Sequence, residues 1–199
     1  MKSLTLLLFI ALSSMGSIFA QVTTDSRSMV TGSQPALIVK LKGADPKFAE
    51  SEWKDYVKSY GKVIKVKGSK ESVIEGVHVK DIGKGTLMNV YSLATLVVDG
   101  TDFVVWFSRG GSYLEKSDAE YGTAEEFLLE FAKKVNVDMI ANDLEEQQKK
   151  QSKFESDLAK LQKEKENLHK DINTAKGKID QAEIDIPINE AAQETAQVD

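Results

Sequence analysis

Two histidines, His78 and His169, are the side chains with the most direct claim to chemistry at neutral pH, and the chain has no cysteine. Without cysteine there is no thiol nucleophile, thiolate metal site, disulfide framework or lipid-carrying cysteine. His78 alternates with Val77 and Val79 and shares its strand face with Lys80, a solvated position. His169 flanks Leu168 far along the chain. Neither belongs to a His/Asp/Glu cluster with metal-ligand spacing, so the expected metal, cofactor and catalytic residues are none. Gly83-Lys84-Gly85-Thr86 has the glycines and lysine of a phosphate loop. That motif needs a longer loop running from a strand into a helix, whereas a strand follows here, so it reads as a β-turn. No serine sits in a nucleophile-elbow pattern. Glu125-Glu126 opens a helix, where the macrodipole favours acids. The expectation is a protein that is not an enzyme. Convergence of Asp99, Asp102, Arg109 or His78 in a deep pocket would favour the alternative, a ligand-binding or hydrolytic domain with any oligomerising segment only an accessory.

Association chemistry is written more plainly. From Leu144 the spacing is heptad. The a positions are Leu144, Gln151, Leu158, Lys165, Ile172, Ile179 and Ile186. The d positions are Gln147, Phe154, Leu161, Leu168, Ala175 and Ala182. Ten of these thirteen are apolar, the signature of a coiled coil, about 65 Å long at 1.5 Å per residue. The expected seam is Leu144, Phe154, Leu158, Leu161, Leu168, Ile172, Ile179 and Ile186. In a parallel dimer Lys150 meets Glu155, Asp171 meets Lys176 and Lys178 meets Glu183, with no like-charged g–e pair. Lys165 at an a position needs solvent for its ammonium and so disfavours higher oligomers. The predicted partner is therefore the chain itself, as a parallel homodimer, with an unidentified envelope protein as a further one.

Residues 1–20 have the pattern of a signal peptide: Lys2, an apolar run from Leu4 to Leu12, and Ala20 before Gln21. The run is too short to span a bilayer, so no transmembrane segment is expected in the mature chain. The expected location is exported, periplasmic or extracellular, in a bacterium; an exported domain without disulfides suits such an envelope. Net charge is −5, and becomes −6 once residues 1–20 and their single lysine are removed. That balance excludes the clustered basic surface nucleic acid requires.

The elements that would position these groups follow from periodicity. Gln21–Gln34 is polar and reads as a flexible leader (21–34). The globular part is expected at 35–141. Leu37, Val39 and Leu41 alternate as a strand. Asp45-Pro46 starts a helix carrying Trp53, Tyr56, Val57 and Tyr60 on one stripe and ending at Gly61. Strands follow at Val63–Lys67, Val73–Val79, Leu87–Val98 and Phe103–Phe107, with Asp99-Gly100 as a hairpin turn. Gly110-Gly111 releases the chain into a loop. Thr123 to Glu126 is a capping box for a helix with an apolar stripe of Phe127, Leu128, Phe131 and Val135. That stripe is out of phase with the heptads, so a kink or break is expected near Asn136–Asn142. The coiled coil is placed at 142–186, closed by Pro187, with a disordered tail at 187–199. The predicted fold is α+β: a two-layer sandwich of a mostly antiparallel sheet with helices on one face, followed by the long coiled-coil helix.

Trp106 and Val104 face away from Phe103, Val105 and Phe107. If the second face of the sheet is uncovered, Val104 and Trp106 are a candidate partner-contact patch. The stretch Val104-Val-Trp-Phe-Ser-Arg-Gly-Gly-Ser-Tyr-Leu114, followed by a capped helix and a Lys/Glu-rich coil, resembles uncharacterised secreted Bacteroidetes-like bacterial proteins with an α+β domain and a C-terminal coiled coil. The resemblance implies an envelope location and brings no activity, substrate or site residue. Together these readings predict an exported, non-enzymatic envelope protein that oligomerises through its coil and presents the small domain for partner binding.

Overall fold

A computed structural model describes residues 21–79 and 82–196. The expected signal peptide, Lys80 and the last three residues lie outside the described residues. The fold is α+β, an open seven-stranded antiparallel sheet with a short helix and a long C-terminal helix. The chain divides into two compact units between Ala141 and Asn142.

Where a leader was expected, the chain forms the edge of the sheet. Strand β1 (Val22–Met29) and strand β2 (Gly32–Lys42) pair antiparallel from Val22↔Val39 to Met29↔Gly32. Its polar composition concealed β1, because an edge strand needs burial only where it touches the core. Val22 and Met29 at its two ends are buried, and the six residues between are exposed. The two-residue turn Val30-Thr31 makes Met29–Gly32 the closing hydrogen-bonded pair, so bonded pairs recur at alternate positions. Pro35, opposite Ser26, then falls where the two strands exchange no bond. Its missing N–H lies on the side of the next strand, and pairing on that side begins only at Leu37↔Val105.

Helix α1 (Pro46–Tyr56) starts as expected, with the Asp45 carboxylate accepting from the Lys47 N–H at 2.8 Å. It stops at Tyr56, earlier than Gly61, with Val57 as its C-cap. Gly61 is needed for space instead, since a Cβ there would meet Ile74 and Val77 at 2.9 and 3.0 Å. Strand β3 (Ile64–Lys65) is only two residues long, and strand β4 (Ser72–Val77) carries an irregularity between Ile74 and Val77. Strands β5 (Met88–Val97) and β6 (Gly100–Arg109) form the central hairpin, in register from Asn89↔Ser108 to Val97↔Gly100. The turn residues are Val98 and Asp99, one place earlier than expected. Gly100 opens β6 at φ 141°, and a Cβ there would lie 2.2 Å from the Leu41 carbonyl oxygen. Gly110 and Gly111, at φ 55° and 93°, turn the chain straight back into strand β7 (Ser112–Tyr113) rather than into a loop. The strand order is β1-β2-β6-β5-β4-β3, with β7 beside the end of β6.

Helix α2 (Tyr121–Ala196) begins before Thr123, whose place in the first turn removes it as a cap. The Ala124 N–H donates to the Glu120 carbonyl at 3.1 Å and starts the ladder. The helix stays helical through 136–142 and through Pro187, where a stop was expected. Proline forfeits one backbone bond and costs about 3 kcal/mol in a helix interior, yet the residues after it can resume the ladder.

The main core gathers Leu37, Val39 and Leu41 of β2, Phe103, Val105 and Phe107 of β6, Ala49 and Trp53 of α1, and Phe127, Phe131 and Val135 of α2. Trp53, Phe103 and Phe131 are its centre, with ring centroids 4.8–5.1 Å apart. The intervening residues of β6 enter a second, smaller cluster of Met29, Ala36, Ile38, Val104 and Trp106, bordered by Tyr91, Leu93 and Tyr113.

Candidate functional site

This second cluster corrects the expected contact patch. Val104 is 4% exposed and Trp106 is fully buried. The sheet supplies the cover itself. Met29 packs in from the end of β1, Tyr113 from β7 and Tyr91 from β5. The Thr31 and Tyr113 hydroxyls bond at 2.8 Å, tying the β1–β2 turn to β7. The Trp106 indole N–H donates to the Gln34 carbonyl at 3.3 Å. β1 and β7, which no local periodicity marks, close this face together with Tyr91 and Leu93 of β5.

The polar candidates of the α+β unit stay apart. Asp99 lines an open groove of about 260 Å³ with Lys40, Lys42, Val97, Val98 and Thr101. Arg109 lies at the opposite end of β6, roughly 30 Å from Gly100 at strand rise. There it stands 3.8 Å from Glu120, whose other carboxylate oxygen is 2.6 Å from the Lys84 ammonium. The bond from Lys84 holds the Glu120 carboxyl below its ordinary range. Asp102 pairs across the sheet with Lys40 and Thr95, and His78 is exposed just beyond β4. Among the described residues no group of His, Asp and Glu has metal-binding geometry. Near Asp99, Leu96 and Val98 are 70% and 102% exposed, an apolar hairpin tip that strand alternation alone did not mark.

The seam residues are carried by α2. Leu144, Phe154, Leu158, Leu161, Leu168, Ile172, Ile179 and Ile186 are each at least half exposed. Exposure is general along this stretch, and Ile184 and Ile188, off the heptad phase, are exposed too. What distinguishes the seam is recurrence. Gln147, Lys150, Gln151, Phe154, Glu155 and Leu158 line one open groove. Leu161, Glu164, Lys165, Leu168, His169 and Ile172 line a second, each fourteen residues after its counterpart. These are the a, d, e and g positions of successive double heptads, the arrangement that receives knobs from a facing helix.

The apolar heptad spacing extends one repeat before Leu144. Val137 and Ile140, each 62% exposed, occupy a and d positions one heptad before Leu144. The core-facing stripe runs through Val135 to the partly buried Met139, and Val137 lies about 200° around the helix from Val135. One helix therefore shows the core one face and leaves another free at nearly the same level, so the two phases need no break between them. Lys134, beside this junction, bonds Glu52 of α1 and lies 2.6 Å from Asp138. Burial opposes its charge, but bonds to Asp138 and Glu52 outweigh that and hold its ammonium above its ordinary pKa.

Ion pairs lie along the surface of α2 within the one chain: Glu145–Lys149 at 2.6 Å, Glu146–Lys150 at 2.7 Å and Asp157–Lys160 at 3.5 Å. Their side chains are largely exposed, so each pair is weak. No helix among the described residues is long and apolar enough to cross a membrane.

No protein-family model, curated protein or solved structure matches the chain.

Proposed function

We propose that the chain is an exported, non-enzymatic bacterial envelope protein that self-associates through α2 as a parallel homodimeric coiled coil and presents its α+β unit to an envelope partner. In this reading the unit is a two-layer sandwich with both helices on one face of the sheet. The observation that carries the association is the apolar seam from Leu144 to Ile186, repeated at heptad spacing and left exposed by its own chain. Burying one leucine or isoleucine stabilises by about 1.5–3 kcal/mol, and an isolated helix without a tertiary partner is marginal in water. Export rests on the leader pattern of residues 1–20. The non-enzymatic reading rests on the separation of Asp99 and Arg109 to opposite ends of β6.

The test uses the natural absence of cysteine. In a parallel, in-register pair every a residue faces its own copy, so Lys165→Cys in the full chain forms an intermolecular disulfide on mild oxidation. Lys163→Cys, at an outward f position, does not. Adding Leu161→Asp and Leu168→Asp abolishes the Lys165→Cys disulfide. Equal cross-linking from positions 163 and 165, or none from 165, would contradict a parallel pair.

A further inference from the structure

The two edges of the sheet are built differently. At one edge β3 is two residues long, too short to template another strand. At the other, β1 runs for eight residues in unbroken register with β2, with neither proline nor lysine. Its centre is exposed from Thr23 to Ser28. It has no bulge, and its charges, Asp25 and Arg27, are of opposite sign, so they repel another strand less than a row of like charges would.

The direction of its free backbone groups follows from the hairpin. Met29 and Gly32 close the turn, so Thr23, Asp25, Arg27 and Met29 direct their N–H and C=O groups toward β2. Pro35 agrees, since a residue without an N–H tolerates only the unbonded position opposite Ser26. Val22, Thr24, Ser26 and Ser28 therefore direct their backbone groups outward, to the open edge.

The sequence on that edge is self-complementary. In Val22-Thr-Thr-Asp-Ser-Arg-Ser-Met-Val30, opposite charges flank Ser26 and small hydroxyl residues, Thr24 and Ser28, flank those. Laid antiparallel on a copy of itself about Ser26, Thr24 meets Ser28 and Asp25 meets Arg27, each twice, while Thr23 meets Met29 and Val22 meets the turn residue Val30. The outward-directed residues Thr24, Ser26 and Ser28 meet one another, so the ladder is continuous across the centre of the strand. Asp25 and Arg27 occupy the unbonded positions, where side chains approach most closely. Within one chain these two lie 3.5 Å apart and remain 61% and 46% exposed, free to share charge with a second copy.

We propose that β1 is a homotypic pairing edge: two copies join their sheets β1 to β1, antiparallel, with Ser26 on the two-fold axis. The contact is isologous, so it closes on itself and forms one continuous sheet across the pair. It does not depend on the helical seam, and the experiment removes the seam to keep the two apart.

In the full chain carrying Leu161→Asp and Leu168→Asp, Ser26→Cys is expected to form an intermolecular disulfide. Antiparallel pairing sets the two Cα atoms about 5.5 Å apart, within disulfide range. Ser28→Cys, displaced by roughly 13 Å from its copy, is not expected to form one. Asp25→Arg or Arg27→Asp alone places like charges opposite each other and is expected to cut the Ser26→Cys yield by roughly tenfold, and the double exchange to restore it. Equal cross-linking at positions 26 and 28 would overturn the register. A monomer by light scattering with no Ser26→Cys disulfide would overturn the pairing and leave the edge to another protein's strand or to solvent.

Discussion

Glu120 is 7% exposed and is held by two cations, Lys84 at 2.6 Å and Arg109 at 3.8 Å. Lys84 reaches it from a turn where its own φ is 45°, a backbone state disfavoured for a residue with a Cβ. The sequence motif Gly83-Lys84-Gly85-Thr86 thus serves the fold: it is a tight turn, closed by the Thr86 N–H on the Gly83 carbonyl at 2.8 Å, that delivers an ammonium to the start of α2. Because the folded carboxyl is held below its unfolded pKa, its contribution to stability is present above the ordinary carboxylate range and is lost as pH falls through the folded value. Urea midpoints at pH 7 and pH 3 should therefore converge for the wild type and Glu120→Gln at the acidic end, with the variant weaker at pH 7. A constant difference between them across that range would refute the ion-pair account.

At the scale of elements, α2 performs two jobs on two faces. Its first turns bring Phe127, Phe131 and Val135 to the sheet, and the phase from Val137 onward is free. Phe131→Ala should destabilise the α+β unit by about 3–5 kcal/mol, because it removes the ring that packs on both Trp53 and Phe103. Leu144→Ala, 57% exposed, should leave that unit's unfolding unchanged. Tryptophan fluorescence follows both, since Trp53 and Trp106 are buried in that unit. A comparable loss from Leu144→Ala would show that the two faces are not independent.

For the whole molecule, the proposed association makes stability depend on concentration. A tenfold dilution withdraws about 1.4 kcal/mol from a dimer. The helical signal at 222 nm should therefore melt at lower temperature on dilution, and the Leu161→Asp, Leu168→Asp variant should have less of that signal than the wild type. Salt should change the midpoint only slightly, because Glu145–Lys149 and Glu146–Lys150 are solvated pairs already screened in one chain. A midpoint independent of concentration in the wild type would leave α2 without a partner.

Sequence patterning by itself determined the elements whose signal is local. The heptads of α2, the Asp45-Pro46 helix start, and the alternation through β5 and β6 are each set by side chains a few residues apart. The α+β class followed from their order. What only the tertiary structure decided involves residues distant in the chain. β1 has too little apolar periodicity to announce itself, and becomes a strand because β2 offers it a ladder and because Val22 and Met29 find the core. Trp106 is buried by Met29 and Tyr113, which no local pattern connects to it. Gly61 and Gly100 are fixed by neighbours at Ile74 and Leu41 rather than by their own φ preference alone. The same physics divides the candidate sites. A seam on one helix is written in its spacing, whereas the exposed β1 edge exists only once the sheet has assembled around it.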